Sequence, residues 1–233
     1  MGLGLGPPMP TQRRIRSFVR RAGRMTKAQR RALTQLWPRY GLELGEEPVD
    51  LPGVFGGTGD VVLDIGFGDG EALLQLARRH PDIHYLGVEV YEPGIGHLLL
   101  KLEAEGLDNV RVVCADAVDL LSVCLSPRSV AAVNLFFPDP WPKKRHFKRR
   151  IVQPAFIEDV SRAVCHEGLL HMATDWAPYA EHVRAILSQF DAFEEVSAAK
   201  LGGEALAERP PTKFEQRGLA LGHEVTELYY RRR

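Results

Sequence analysis

From about residue 60 onward the chain alternates short apolar runs with amphipathic stretches. VVLDI (61–65) is continuously apolar but for one acid and ends at glycines, the pattern of a buried strand. EALLQLARRH (71–80) has helical spacing and stops before Pro81. HYLGVEV (84–90) predicts a second strand, and VRVVCAD (110–116) a third. Between them a helix over 93–105 opens at Pro93 and closes at Gly106. A short helix over 117–125 and a fourth strand, SVAAVNLFF (129–137), follow. The loop PDPWPKKRHFKRR (138–150) then leads to a helix over about 151–165, a strand GLLHMATD (168–175) and a helix over 178–189. Two last strands are expected near 192–197 and 223–230, around a loop rich in Gly, Pro and charge. Strands alternating with helices specify an α/β fold: a seven-stranded, mostly parallel sheet with helices on both faces. The final two strands have no predicted helix between them and imply an antiparallel hairpin at one edge.

Upstream the pattern changes. Residues 11–31 are too basic to bury a face, and Thr26 predicts the cap of a short helix running toward Trp37 and Pro38. Residues 41–59 are rich in Gly, Pro and acid and read as a linker. The expected organisation is a basic, partly disordered N-terminal arm (1–40), a linker (41–59) and one domain (60–233), which 233 residues accommodate. A composition of 45% hydrophobic and 26% charged residues excludes a disordered or fibrous chain. No apolar stretch approaches membrane-spanning length, and MGLGLGPPMP lacks a signal peptide's charged start and apolar centre. Gly6 stands where a myristoylation signal needs Ser or Thr. Cys114, Cys124 and Cys165 form no CxxC pair, fit a reducing compartment and are expected to be small buried side chains. The expectation is a cytoplasmic protein that does not engage a membrane.

Charge alters the picture. Lys+Arg and Asp+Glu are 30 each, a balance that argues against a polyanionic partner. By segment the balance disappears. Residues 1–40 hold ten basic side chains and no acid, residues 60–120 hold four basic and twelve acidic ones, and KKRHFKRR (143–150) holds six basic ones. Arg231, Arg232 and Arg233 end the sequence. Such asymmetry points to a polyanion meeting part of the surface.

The candidate chemistry begins after the first strand, at Asp64-Ile65-Gly66-Phe67-Gly68-Asp69-Gly70. The motif is GxGxG, not the dinucleotide fingerprint GxGxxG, because Glu71 follows Gly70. Asp64, Asp69 and Glu71 would repel a pyrophosphate, whereas a ligand with a cationic centre and no phosphate fits. S-adenosylmethionine is such a ligand. Glu89 ends the second strand, placed to accept ribose hydroxyls, and Asp116 ends the third, placed to accept an adenine amino group. This ordered series resembles class I S-adenosylmethionine-dependent methyltransferases and implies a single Rossmann-like domain. After the fourth strand, two prolines brace Asp139, Trp141 is placed to stack on a base, and Lys143, Lys144, Arg145, Lys148, Arg149 and Arg150 are placed to meet phosphates. His80, His84, His166 and His171 have no metal-ligand spacing and read as structural or exposed.

FFPDPWPKKRHFKRR is similar to the signature of the bacterial tRNA (guanine-N7)-methyltransferase family. RSFVRRAGRMTKAQ (16–29), LDIGFGDG (63–70), YLGVEV (85–90), HMATDW (171–176) and TKFEQRG (212–218) match that family in order. The resemblance implies methyl transfer from S-adenosylmethionine to guanine N7 at position 46 in the tRNA variable region, without a metal. It implies a cofactor site at Asp64, Gly66, Gly68, Gly70, Glu89, Asp116, Ala117 and Asp139, with Asp139 also the catalytic residue. It implies substrate binding by Lys143, Asp175, Thr212, Lys213, Phe214 and Glu215, with Glu215 on the guanine Watson–Crick edge. One departure is visible: the family often has Glu where this chain has Asp64. The arm, with Arg13, Arg14, Arg16, Arg20, Arg21, Arg24, Lys27, Arg30 and Arg31, is expected on the tRNA backbone or across the cofactor pocket. The protein is expected as a monomer or homodimer. The rival readings are a class I methyltransferase acting on another RNA or a small molecule, and an RNA-binding protein with a relict pocket.

Overall fold

The computed structural model describes residues 16–18, 23–212, 215–216, 222 and 224–233. Strands β1 (Val61–Ile65), β2 (His84–Glu89), β3 (Val110–Cys114), β4 (Val130–Phe136), β5 (Val164–Thr174), β6 (Phe193–Val196) and β7 (Thr226–Arg232) form one sheet. Their order is β3-β2-β1-β4-β5-β7-β6. β1 to β5 pair in parallel, and β7 runs antiparallel to both β5 and β6. The C-terminal pair is thus antiparallel, as its pattern implies. Its connection, however, contains a four-residue helix, Ala198–Leu201, and β7 lies between β5 and β6, with β6 at the edge.

The crossover helices divide between the two faces, as the continuously apolar strands require. The helices Glu71–Arg79 and Glu92–Glu105 cover one face, with Leu73, Leu76, Ile95, Leu98 and Leu102 fully buried. The helices Pro154–Ala163 and Ala177–Leu187 cover the other, burying Phe156, Ile157, Val160 and Val183. Residues 117–125 form one α-turn, Ala117–Asp119, that continues as a π-helix, Leu120–Cys124. No described helix is long and apolar enough to cross a membrane.

Two N-terminal expectations change. The helix Lys27–Gln35 starts at Thr26 with a reciprocal capping box: Gln29 N–H donates to Thr26 Oγ1 at 3.1 Å, and Thr26 N–H to Gln29 Oε1 at 2.8 Å. Such a cap is worth about 1 kcal/mol. The helix is docked, because Ala32 and Leu33 are buried and Gln29 Nε2–H donates to the Pro93 carbonyl at 3.0 Å. Its exposed basic residues need only the opposite face. Residues 41–59 are also packed rather than a free linker. Leu42 N–H donates to the Val112 carbonyl at 2.9 Å, Val49 N–H to the Cys124 carbonyl at 2.8 Å, and a short helix, Leu51–Phe55, buries Leu51. The scattered apolar residues there anchor the segment without setting a period. Of the cysteines only Cys124 is buried.

Candidate active site

β1 and β4 are spatial neighbours although β2 and β3 separate them in sequence, so the helices after them leave in opposite directions and a crevice opens at the strands' C-terminal ends. A cavity of about 220 Å³ occupies that crevice. Gly66, Glu89, Asp116, Ala117 and Asp139 line it together with Val88, Leu135 and Phe136. Five of the eight predicted cofactor residues therefore meet in one place. No described lysine or arginine lines the cavity. Its polar groups are carboxylates, backbone and Ser17, and its walls are apolar, which suits a cationic, hydroxylated ligand with an apolar ring and not a phosphate.

The glycine loop explains the other three positions. Gly66, Gly68 and Gly70 all have positive φ, at 72°, 63° and 78°, which L side chains adopt at a cost. The resulting loop turns Gly68 N–H onto Glu89 Oε2 at 2.9 Å. Glu89 Oε1 accepts from Val90 N–H at 2.6 Å and Tyr91 N–H at 3.0 Å, so this carboxylate is oriented before any ligand arrives. Gly70 is buried as the N-cap of the Glu71–Arg79 helix, packed against Leu98 and not among the cavity-lining residues. Asp64 lies beneath the loop, 3% exposed, and burial together with the neighbouring Glu89 charge pushes its carboxyl up to about 7. Asp116 caps the following turn through Val118 N–H at 3.1 Å.

Phe137 and Trp141, on either side of Asp139, have positive φ of 50° and 44°. That conformation is costly for non-glycine residues, and such strain collects at functional loops. Arg150 braces the loop: it is buried, its Nε–H donates to the Pro140 carbonyl at 3.0 Å, and its guanidinium lies 3.8 Å from the Phe147 ring centroid. It is therefore withdrawn from the basic cluster read as phosphate-binding, whereas Lys143, Lys144, Arg145 and Lys148 are exposed. Trp141 is not an open stacking platform either. Its Nε1–H donates to the Ser17 carbonyl at 2.9 Å, and Arg149 covers its ring at 4.9 Å. Ser17 and Phe18 line the cavity, so this part of the arm crosses the pocket.

Asp175 follows β5 at the same sheet edge. Thr212 and Glu215 are joined: Glu215 N–H donates to Thr212 Oγ1 at 3.0 Å, and Thr212 N–H to Glu215 Oε2 at 3.2 Å. Lys213 and Phe214 lie outside the described residues, as do Arg13, Arg14, Arg20 and Arg21. Glu215 is not an open carboxylate on a surface loop; it is 7% exposed and forked onto Arg209. Sequence reasoning missed Arg209 and Glu227. A basic residue immediately before Pro210-Pro211-Thr212 was the available signal. Arg231 donates to the Glu167 carbonyl of β5 and to Glu204, and Arg232 to the Ser161 and Ala192 carbonyls, which occupies both structurally, whereas Arg233 is exposed.

A sheet of this order with an acid-lined crevice at its switch point defines a Rossmann-like methyltransferase. A family model described as "Putative methyltransferase" matches residues 58–228. A solved structure of the 16S rRNA methyltransferase KamB superposes with a TM-score of 0.54 at 15% identity, over 83% of this chain and 98% of that one, which shows the shared fold. A tRNA (guanine-N(7)-)-methyltransferase of Nitrosococcus oceani is 51% identical over 94% of this chain and 92% of its own length. Its counterpart in Halorhodospira halophila is 50% identical over 97% and 98%. The chain belongs to the bacterial tRNA (guanine-N7-)-methyltransferase family.

Proposed function

We propose that this enzyme transfers a methyl group from S-adenosylmethionine to N7 of guanine at position 46 in the variable region of tRNA. The observation that carries the reading is one crevice with two linings. Its interior holds carboxylates and no described cation, and its lip at Asp139 adjoins the exposed bases Lys143, Lys144, Arg145 and Lys148. The interior suits a cationic cofactor and the lip an RNA phosphate chain.

S-adenosylmethionine supplies the methyl as an activated sulfonium substituent, and no metal is needed. Guanine N7 offers an in-plane lone pair and no proton, so Asp139 need not act as a base. The N7–carbon bond forms as the carbon–sulfur bond breaks, and positive charge moves onto the purine. Glu89 and Asp116 fix the ribose and adenine, Asp64 the methionine amine, and the Ser17–Phe18 crossing excludes water. Asp139 and Asp175 face the developing cation. Lys143, Thr212, Lys213, Phe214 and Glu215 hold the tRNA and its guanine.

The test is incubation with labelled S-adenosylmethionine and bulk tRNA, followed by mapping of the methylated base. Label at guanine N7 in the variable region is expected; transfer to another atom or only to small molecules refutes the assignment. Asp139→Asn should lower kcat by about 10²–10³-fold, the cost of removing one transition-state electrostatic partner. Wild-type turnover by a folded Asp139→Asn enzyme would exclude an essential charge there.

A further inference from the structure

Arg209 joins the loop that bears Glu215 to the body of the sheet. Its Nη1 and Nη2 groups donate to the two oxygens of Glu215 at 2.5 and 2.7 Å. Its Nε and Nη2 groups donate to Glu227 Oε1 at 2.9 and 2.5 Å. The Arg209 side chain is 6% exposed and that of Glu215 9%. Its guanidinium lies 5.8 Å from the Phe136 ring centroid and 5.5 Å from that of Phe137.

We propose that Arg209 is a positioning residue for the substrate guanine, setting the orientation and charge of Glu215 from which that carboxylate meets the base. The inference rests on the assignment of Glu215 to guanine made above. Four observations support it. A guanidinium fork fixes the plane of a carboxylate, which a point charge cannot do. Glu227 sits in β7, paired there with Ala173 of β5, so the fork refers the loop to the rigid sheet. Phe136 and Phe137 line the cavity just before Asp139, so the same guanidinium packs against the wall that carries the catalytic residue. Finally, two carboxylates surround one cation, leaving a net negative charge where the purine becomes positive.

A carboxylate accepts about four hydrogen bonds. Arg209 and Thr212 N–H take three on Glu215, leaving about one for a guanine N–H in this position. Should Glu215 shift toward the base to accept two, Glu227 still neutralises Arg209, so no buried cation is stranded. Among the described residues, the charged and titratable groups around Glu215 are Arg209 and Glu227, with His171 and Tyr229 beyond Glu227. The Arg209 fork, working against burial, holds the Glu215 carboxyl below its ordinary value.

The test compares Arg209→Met, Arg209→Lys, Glu215→Gln and the Arg209→Met/Glu215→Gln double variant in steady-state transfer to tRNA. Arg209→Met should raise KM for tRNA about tenfold, the loss of one charged hydrogen bond, and leave KM for S-adenosylmethionine unchanged. The acid limb of kcat/KM for tRNA should move to higher pH, because Glu215 then protonates more readily. Arg209→Lys keeps the charge, so its acid limb should stay in place while KM for tRNA rises by a smaller factor. This variant keeps the test open should Arg209→Met fail to fold. In the double variant Arg209→Met should add less than about threefold to the Glu215→Gln effect, since coupled residues are not additive. Wild-type tRNA kinetics in folded Arg209→Met or Arg209→Lys overturns the proposal, as does full additivity in the double variant. If wild-type enzyme methylates no tRNA guanine, both readings fall; if Glu215→Gln raises KM for tRNA and neither Arg209 variant does, only this one falls.

Discussion

At the scale of the residue, Asp64 carries the sharpest consequence. Its carboxyl is pushed up to about 7 by burial and by Glu89, from an ordinary 3.8. The folded state therefore binds a proton that the unfolded state has released, and stability falls as pH rises from about 4 through 7. The stability lost over that range is at most about 4 kcal/mol. Asp64→Asn should consequently raise Tm at pH 8 while leaving it nearly unchanged at pH 4. A variant no more stable than wild type at pH 8 contradicts a buried, strained charge. A cationic ligand inverts the preference and favours the carboxylate. S-adenosylmethionine binding at pH 7 should then release about half a proton, rising toward one at pH 6, read as a dependence of calorimetric heat on buffer ionisation enthalpy, and Asp64→Asn should abolish that dependence. On this proposal Asp64 costs stability in the free protein and is ionised only when a cationic ligand arrives.

At the scale of the element, the Glu92–Glu105 helix and the glycine loop form one device. A Cβ on Gly94 would stand 2.0 Å from the Gly68 carbonyl oxygen, backbone that cannot swing aside. Gly94→Ala should push the loop away from Glu89 and weaken S-adenosylmethionine binding by about tenfold or more, equivalent to losing the Gly68–Glu89 hydrogen bond. An unchanged Kd in a folded variant rules out this coupling. Elements of this kind divide into those the residue pattern reveals and those it conceals. The seven strands and five cavity-lining positions were legible because parallel strands are apolar runs and their ends face one edge. Glu89 and Asp116 could be placed by strand end alone. The packing of residues 41–59 was not legible, since isolated Leu42, Val49 and Leu51 set no period. Nor were Arg209 and Glu227, because each alone looks like a surface charge and nothing in the residue pattern marks the loop that buries them together. Arg150 misled for the opposite reason: it sits in a basic run, yet the backbone turns it inward against Pro140 and Phe147.

At the scale of the molecule, the neutral total of 30 basic and 30 acidic residues is a separation of signs. Glu89, Asp116 and Asp139 line the crevice, and Lys143, Lys144, Arg145 and Lys148 form an exposed basic lip. Packing decides which bases are available for RNA. Arg150, Arg231 and Arg232 are engaged internally, whereas Lys143, Lys144, Arg145 and Lys148 are exposed. Changing these four to Ala should flatten the dependence of log K for tRNA on log salt by about 0.7–0.9 for each phosphate that is no longer neutralised. Changing Arg231 instead should cost stability and leave the slope alone, because it is paired with Glu204. Packing also decides where the arm can be cut. Removing residues 1–31 would destroy the Thr26 cap and part of the Lys27–Gln35 helix, so a loss of tRNA binding could come from the fold. Removing residues 1–15 spares Ser17, Phe18 and that helix and takes away Arg13 and Arg14. That shorter truncation should preserve Tm and S-adenosylmethionine binding while weakening tRNA binding and reducing its salt slope. An unchanged slope would remove this part of the arm from the RNA interface and leave the lip of the crevice as the principal phosphate-binding surface.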